Sequence, residues 1–194
     1  MLENDIVGLR KQLIFKGRYN PDTYVPTDKE VLNTLYKLQQ DNRLFYIIYL
    51  FSGLRKIEVK YLLSNFKTLK IQTNDKFAKI TLNYLRHNKN SYFCYLPLDI
   101  YNNLAKSYKH LSVGSLGSQI KKKNLIAIKY CRKWFYTKCI ELSIPDSVAD
   151  YFEGRISYSV GNTNYLGRQA LADKYYGEKL VDFFIKFSQD IENK

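Results

Sequence analysis

Tyr165 follows Arg155 by ten residues in the stretch YFEGRISYSVGNTNYLGR, residues 151–168. A tyrosine hydroxyl titrates near 10 and attacks poorly until nearby cations favour the phenolate. Five cations stand in contexts that could supply such a field: Arg55, Lys89, Lys129, Arg132 and Arg155. Brought together, three arginines and two lysines would also grip a phosphodiester and neutralise the charge that develops as a fifth oxygen reaches phosphorus. The chain holds 18 tyrosines in 194 residues, so a tyrosine at one position is weak evidence alone. Tyr158 lies only three residues past Arg155, too little chain to reach the far side of a phosphate. Tyr175 and Tyr176 fall in what reads as a terminal helix.

Each cation also has a plainer reading. In SGLRKIEV, Arg55 sits at a helix start, where the helix dipole favours negative charge. It therefore needs an anionic partner. Glu58, three residues on, can supply one, and an ordinary surface ion pair would satisfy the same pattern. Lys89 occupies the turn RHNKN between two strands, as a mobile proton donor or as a solvated tip; Arg86 is a second cation there. In KYCR, Lys129 and Arg132 lie one turn apart on a helix otherwise apolar through Ile126, Ile128, Cys131, Trp134 and Phe135. Two desolvated cations on one face are costly unless an anion sits between them, whereas snorkelling from the helix edge avoids that cost.

The elements that must position these residues read as mainly α with a small three-stranded antiparallel sheet (α+β). Residues 1–18 follow a helical period through Ile6, Leu9 and Leu13, and RYNPDTYVPT reads as a linker. Residues 1–25 are thus an N-terminal extension and 26–194 the main domain. Thr27 and Glu30 have capping-box spacing ahead of Val31, Leu32, Leu35 and Leu38. LFYIIYLF, 44–51, predicts a buried helix that Gly53 ends, and LRKIEVKYLL predicts another. LKIQTND, FAKITLNYL and SYFCYLP have strand composition, with Pro97 closing the sheet. LDIYNNLAKSYKHL returns to a helical pattern. Residues 112–124, Gly/Ser-rich and then basic, predict a solvated loop. A long helix is expected through LIAIKYCRKWFYTKCIEL, a further one from SIPDSVADYF, and last a terminal helix or pair with Leu180, Phe183, Phe184 and Phe187 on one face.

Composition narrows the function classes. Lys and Arg number 31 against 18 Asp and Glu, giving a net charge of +13, which points to a polyanionic partner and first of all to nucleic acid. No apolar run approaches the roughly 20 residues of a membrane helix, and the N-terminus lacks the pattern of a secretory signal. An intracellular protein is therefore expected. Cys94, Cys131 and Cys139 fit neither a disulfide framework nor a zinc site, so free buried thiols are expected; His87 and His110 are far apart, and no metal centre is expected.

In their order, the capped helix, SGLRKIEV, the sheet with its turn lysine, KYCRKWF, SIPDSVADYFEGR and SVGNTNYLGR resemble the catalytic domain of the tyrosine recombinases, over about residues 26–180. They look most like the integrases of archaeal spindle-shaped viruses. The resemblance implies the tyrosine recombinase catalytic-domain fold and an active site of Arg55, Lys89, Lys129, Arg132, Arg155 and Tyr165. It implies metal-independent cleavage of double-stranded DNA by Tyr165, a 3′-phosphotyrosyl intermediate, and no cofactor. Integration of a viral genome in the cytoplasm or nucleoid of a host cell would follow, with self-association on DNA, a tetramer in the synapse, through the C-terminal helix. Packing of that helix on its own core is the other expectation.

This chain departs from the larger family in two places. Lys129 replaces the usual histidine before xxR, and Gly-Arg replaces Gly-His, so histidine general-base catalysis is unavailable. Deprotonation of Tyr165 would rest on the positive field, on water or on a lysine of lowered pKa. A type IB topoisomerase-like nicking-closing enzyme and a non-catalytic DNA-binding domain are the alternative functions. The family's separate helical domain ahead of the catalytic one does not fit in residues 1–25. A catalytic fragment or a form of reduced DNA affinity is expected.

Overall fold

A computed structural model describes residues 22–85, 90–155 and 163–192. The expected N-terminal helix over 1–18 lies outside the described residues. The remaining elements follow the predicted order. Helix α1 (Asp28–Lys37) opens with the capping box: Thr27 Oγ1 accepts from the Glu30 amide, and the Glu30 carboxylate accepts from the Thr27 amide at 2.7 Å. Val31 and Leu35 face the core.

Helix α2 (Gln40–Ser52) is the centre of the molecule. It is apolar on every side, and Phe45 through Phe51 are all buried, as a helix without a polar face requires. Gly53 closes it in the left-handed conformation, with φ +64°. Helix α3 (Lys56–Asn65) starts three residues later. The sheet is antiparallel in the order β1 (Ile71–Thr73), β2 (Phe77–Tyr84), β3 (Ser91–Pro97), with Ile80 paired to both Ile71 and Cys94. Helix α4 (Leu98–Ser107) follows directly.

Residues 112–124 are not the loop their composition predicts. Val113–Lys122 form helix α5, with the Ser112 hydroxyl accepting from the Ser115 amide as N-cap. Leu116 and Ile120, four apart, are buried, and Asn42 Nδ2 of α2 donates to Ser115 Oγ at 3.1 Å. Burial of that apolar pair outweighs the helix cost of Gly114 and Gly117. Asn124, at φ +48°, ends the helix. The next helix, α6 (Lys129–Glu141), is consequently shorter than its apolar pattern, since 125–128 make the turn from α5.

Helix α7 (Asp146–Phe152) packs on α6 and on β3. Helix α8 (Thr163–Tyr175) continues through a π-helical turn (Tyr176–Leu180) into α9 (Val181–Glu192). Phe184 stacks on Phe51 of α2 at 4.0 Å between centroids, and Phe187 lies 5.1 Å from Trp134. Of the two expectations for the C-terminal helix, the structure holds packing on the chain's own core. Cys94, Cys131 and Cys139 are free and buried, as expected. Among the described residues no helix is long and apolar enough to cross a membrane.

Candidate active site

Two glycine-ended turns face each other across the core and carry the first and last of the predicted arginines. Gly53 ends α2 ahead of Arg55, the N-cap residue of α3. Gly154, at φ +60°, ends α7 ahead of Arg155. Both glycines are required by their left-handed φ and by close approach. A Cβ at Gly154 would lie 2.5 Å from Ser91 Oγ, and one at Gly53 would lie 2.6 Å from the Phe135 ring.

Arg55 finds the anion that its position demands. The Glu58 carboxylate accepts from the Arg55 amide at 2.7 Å and from Arg55 Nη1 at 2.8 Å. Glu58 is fully buried, so this pair is part of the interior and not the surface ion pair of the plainer reading. Arg55 Nη1 also donates to the Glu153 carbonyl at 2.9 Å. Its Nε and Nη2 have no partner among the described residues, and the side chain keeps one-fifth of its surface exposed.

Arg132, at the end of the first turn of α6, reaches the same place. Its Nη1 donates to the Gly53 carbonyl at 2.6 Å, and its Nη2 to the Glu153 carbonyl at 3.1 Å and to Glu153 Oε2 at 3.0 Å. Arg155 Nε pairs with the same Oε2 at 2.6 Å, and its guanidinium lies over the Tyr136 ring at 5.0 Å. The three arginines predicted from sequence thus converge on two buried carboxylates, Glu58 and Glu153. With both ionised, one unit of positive charge is left over these two carboxylates, and Asp150 Oδ1 stands 4.0 Å from Arg155 Nη1. Burial lowers the Arg132 guanidinium to about 10, against the pull of Glu153, so it remains a cation at neutral pH. Burial raises the Glu153 carboxyl above its usual range, opposed by Arg132, Arg155 and Arg55.

The other predicted residues are placed differently. Lys129 is turned to Asp22, Nζ to Oδ2 2.9 Å, with its ammonium over the Tyr130 ring and most of its side chain in solvent. The Asp22 bond raises its pKa, so Lys129 is not a lysine of lowered pKa. Lys89 and its competitor Arg86 lie outside the described residues. Tyr165 falls in the first turn of α8, which begins at Thr163. Two turns on, Asp173 ties that helix to the sheet: Lys79 Nζ donates to Oδ2 at 2.6 Å and the Tyr95 hydroxyl to Oδ1 at 2.7 Å. Of the competing tyrosines, Tyr158 lies outside the described residues. Tyr176 is fully buried, donates to the Phe51 carbonyl at 3.0 Å, and has its pKa raised by burial, which disqualifies it as a nucleophile.

The residue that sequence reasoning missed is Glu153. A signal was present: it caps the C-terminus of α7, where the helix dipole disfavours an anion, the mirror image of the argument that singled out Arg55.

No curated protein sequence matches the chain at a significant level. The archaeal phage integrase family matches residues 23–182, from just before the capping box of α1 to the start of α9, and so spans every arginine of the cluster. The chain belongs to the archaeal phage integrase family, and with it to proteins that bind DNA and act in its integration.

Proposed function

We propose that the chain cuts and rejoins double-stranded DNA by transesterification, with Tyr165 as the nucleophile. The observation that carries the reading is the convergence of Arg55, Arg132 and Arg155 on Glu58 and Glu153, a rigid cationic cluster with guanidinium edges left for an anion. Arg55 presents its Nε–Nη2 edge as a forked donor to the non-bridging oxygens of the scissile phosphate, a geometry that lysine cannot copy, and Arg132, whose Nη atoms hold Gly53 and Glu153, adds its charge beside it. The phenolic proton of Tyr165 passes to water as the phenolate forms in the field of the arginines, Oη forms a bond to phosphorus, and the bond from phosphorus to the 5′-oxygen breaks. Lys89 protonates the departing 5′-oxygen. The 3′-phosphotyrosyl link conserves the phosphodiester bond, so a 5′-hydroxyl from a second strand reseals it with no nucleotide consumed. Exchange between two duplexes calls for several protomers assembled on DNA. Lys129, one turn before Arg132 in α6 and paired with Asp22, acts on the DNA backbone rather than on the reacting phosphate.

Relaxation of negatively supercoiled plasmid in EDTA, stopped with detergent, tests the reading. Wild type relaxes the plasmid and leaves protein on DNA, while Arg55→Ala and Arg132→Ala lose at least about 100-fold in rate, the scale of a lost transition-state donor. Either variant within tenfold of wild type contradicts the assigned role.

A further inference from the structure

Among the described residues, Glu153 is the one touched by all three arginines. Its carbonyl accepts from Arg55 Nη1 and from Arg132 Nη2, and its Oε2 accepts from Arg132 Nη2 and Arg155 Nε. The side chain is fully buried, and its second oxygen, Oε1, is buried without a hydrogen-bond partner among the described residues. A carboxylate needed only to neutralise the cluster would be expected to use both oxygens. This one spends a single oxygen on two guanidinium groups, which fixes their separation. The backbone beneath it is equally constrained. Gly154 follows at positive φ, with no room for a Cβ against Ser91 and Asn90, so the Glu153 carbonyl cannot turn away.

We propose that Glu153 is a positioning residue for the phosphate site: it sets the spacing of Arg55, Arg132 and Arg155 and, by its charge, weakens their hold on undistorted DNA. The proposal deepens the DNA-cleavage reading above and rests on it. Its two halves are separable. The geometric half requires a carboxylate of glutamate length, since Arg132 and Arg155 belong to different elements and meet only at Oε2. The electrostatic half requires the negative charge, which opposes a ground-state phosphate close to the same guanidinium groups. An arginine fork that is misplaced still attracts DNA but no longer meets the oxygens of the transition state.

The test is a pair of variants measured on a plain duplex and on supercoiled plasmid, with Tyr165→Phe alongside. Glu153→Gln keeps length and one acceptor and removes the charge. It is expected to bind duplex DNA at least about threefold tighter and to form covalent complex at least about tenfold more slowly. Glu153→Asp keeps the charge and shortens the reach. Its DNA affinity is expected within about twofold of wild type, again with covalent complex slowed at least about tenfold. A residue that merely stabilises the fold would move unfolding temperature and leave the affinity and rate of the folded fraction alone. Wild-type affinity with wild-type rate in folded Glu153→Gln overturns the proposal, as does a wild-type rate in Glu153→Asp, which carries the test should the glutamine variant fail to fold. If Tyr165→Phe retains covalent complex, the nucleophile assignment fails while the Glu153 comparison stands, because affinity and rate are read on the same phosphate site.

Discussion

At the scale of single residues, the site is a balance of buried charge in which each arginine meets a buried carboxylate, and Arg55 and Arg132 meet main-chain carbonyls as well. Arg132 bridges a main-chain carbonyl, at Gly53, and a carboxylate, at Glu153. Lysine has the charge but not the fork, so Arg132→Lys is expected to reduce plasmid relaxation at least about 100-fold with DNA affinity little changed. Glu58 holds both the amide and the side chain of Arg55. Glu58→Ala leaves a mostly buried guanidinium unpaired, and urea denaturation should show a loss of about 3 kcal/mol or more. The need of Arg55 for an anion was legible from its place at a helix start, and Glu58 was legible as the donor of it. That the pair is interior was not, because burial depends on α7 returning to cover it. Glu153 was passed over because an acid beside an arginine reads as a solvated neighbour until the helix it caps is seen.

At the scale of elements, turns and not helices set the site. Gly154→Ala forces a Cβ to within 2.5 Å of Ser91 Oγ and 2.8 Å of the Asn90 carbonyl at a φ of +60°. A stability loss of at least about 1–2 kcal/mol is expected from the left-handed backbone alone, with plasmid relaxation falling further because the Glu153 carbonyl moves with the turn. The tyrosine-bearing helix has its own anchor. Asp173→Asn weakens the bonds from Lys79 and Tyr95 that hold α8 to the sheet. Covalent complex should form more slowly at saturating DNA, while affinity for duplex stays at the wild-type value. The order of these elements could be read from capping residues, Gly53, strand composition and Pro145. Residues 112–124 could not, since Gly114 and Gly117 argue locally for a loop, and only contact with α2 makes Leu116 and Ile120 a reason for helix.

At the scale of the whole molecule, the net charge of +13 predicts the partner before any site is found. Duplex affinity should fall at least about tenfold between 50 and 200 mM salt, as displaced counterions require; affinity insensitive to salt would mean that the basic surface is not the binding face. The fold's interior is inert by contrast. Burial pushes the Cys131 thiol up to about 12 and raises Cys94 and Cys139 as well, so thiol reagents should leave the native protein unlabelled at pH 8 and label it on unfolding. What joins these scales is the meeting of three arginines from widely separated parts of the chain. Their types and local contexts named them, but only the packing of α2, α6 and α7 brings them to one residue, Glu153.

The most direct measurement is to trap the DNA-linked protein on supercoiled plasmid, digest it with nuclease and protease, and locate the nucleotide-bearing peptide by mass spectrometry. A 3′-nucleotide on Tyr165 is the expected result. A nucleotide on any other residue, or a linkage that survives in Tyr165→Phe, would contradict the assignment of Tyr165 as the nucleophile.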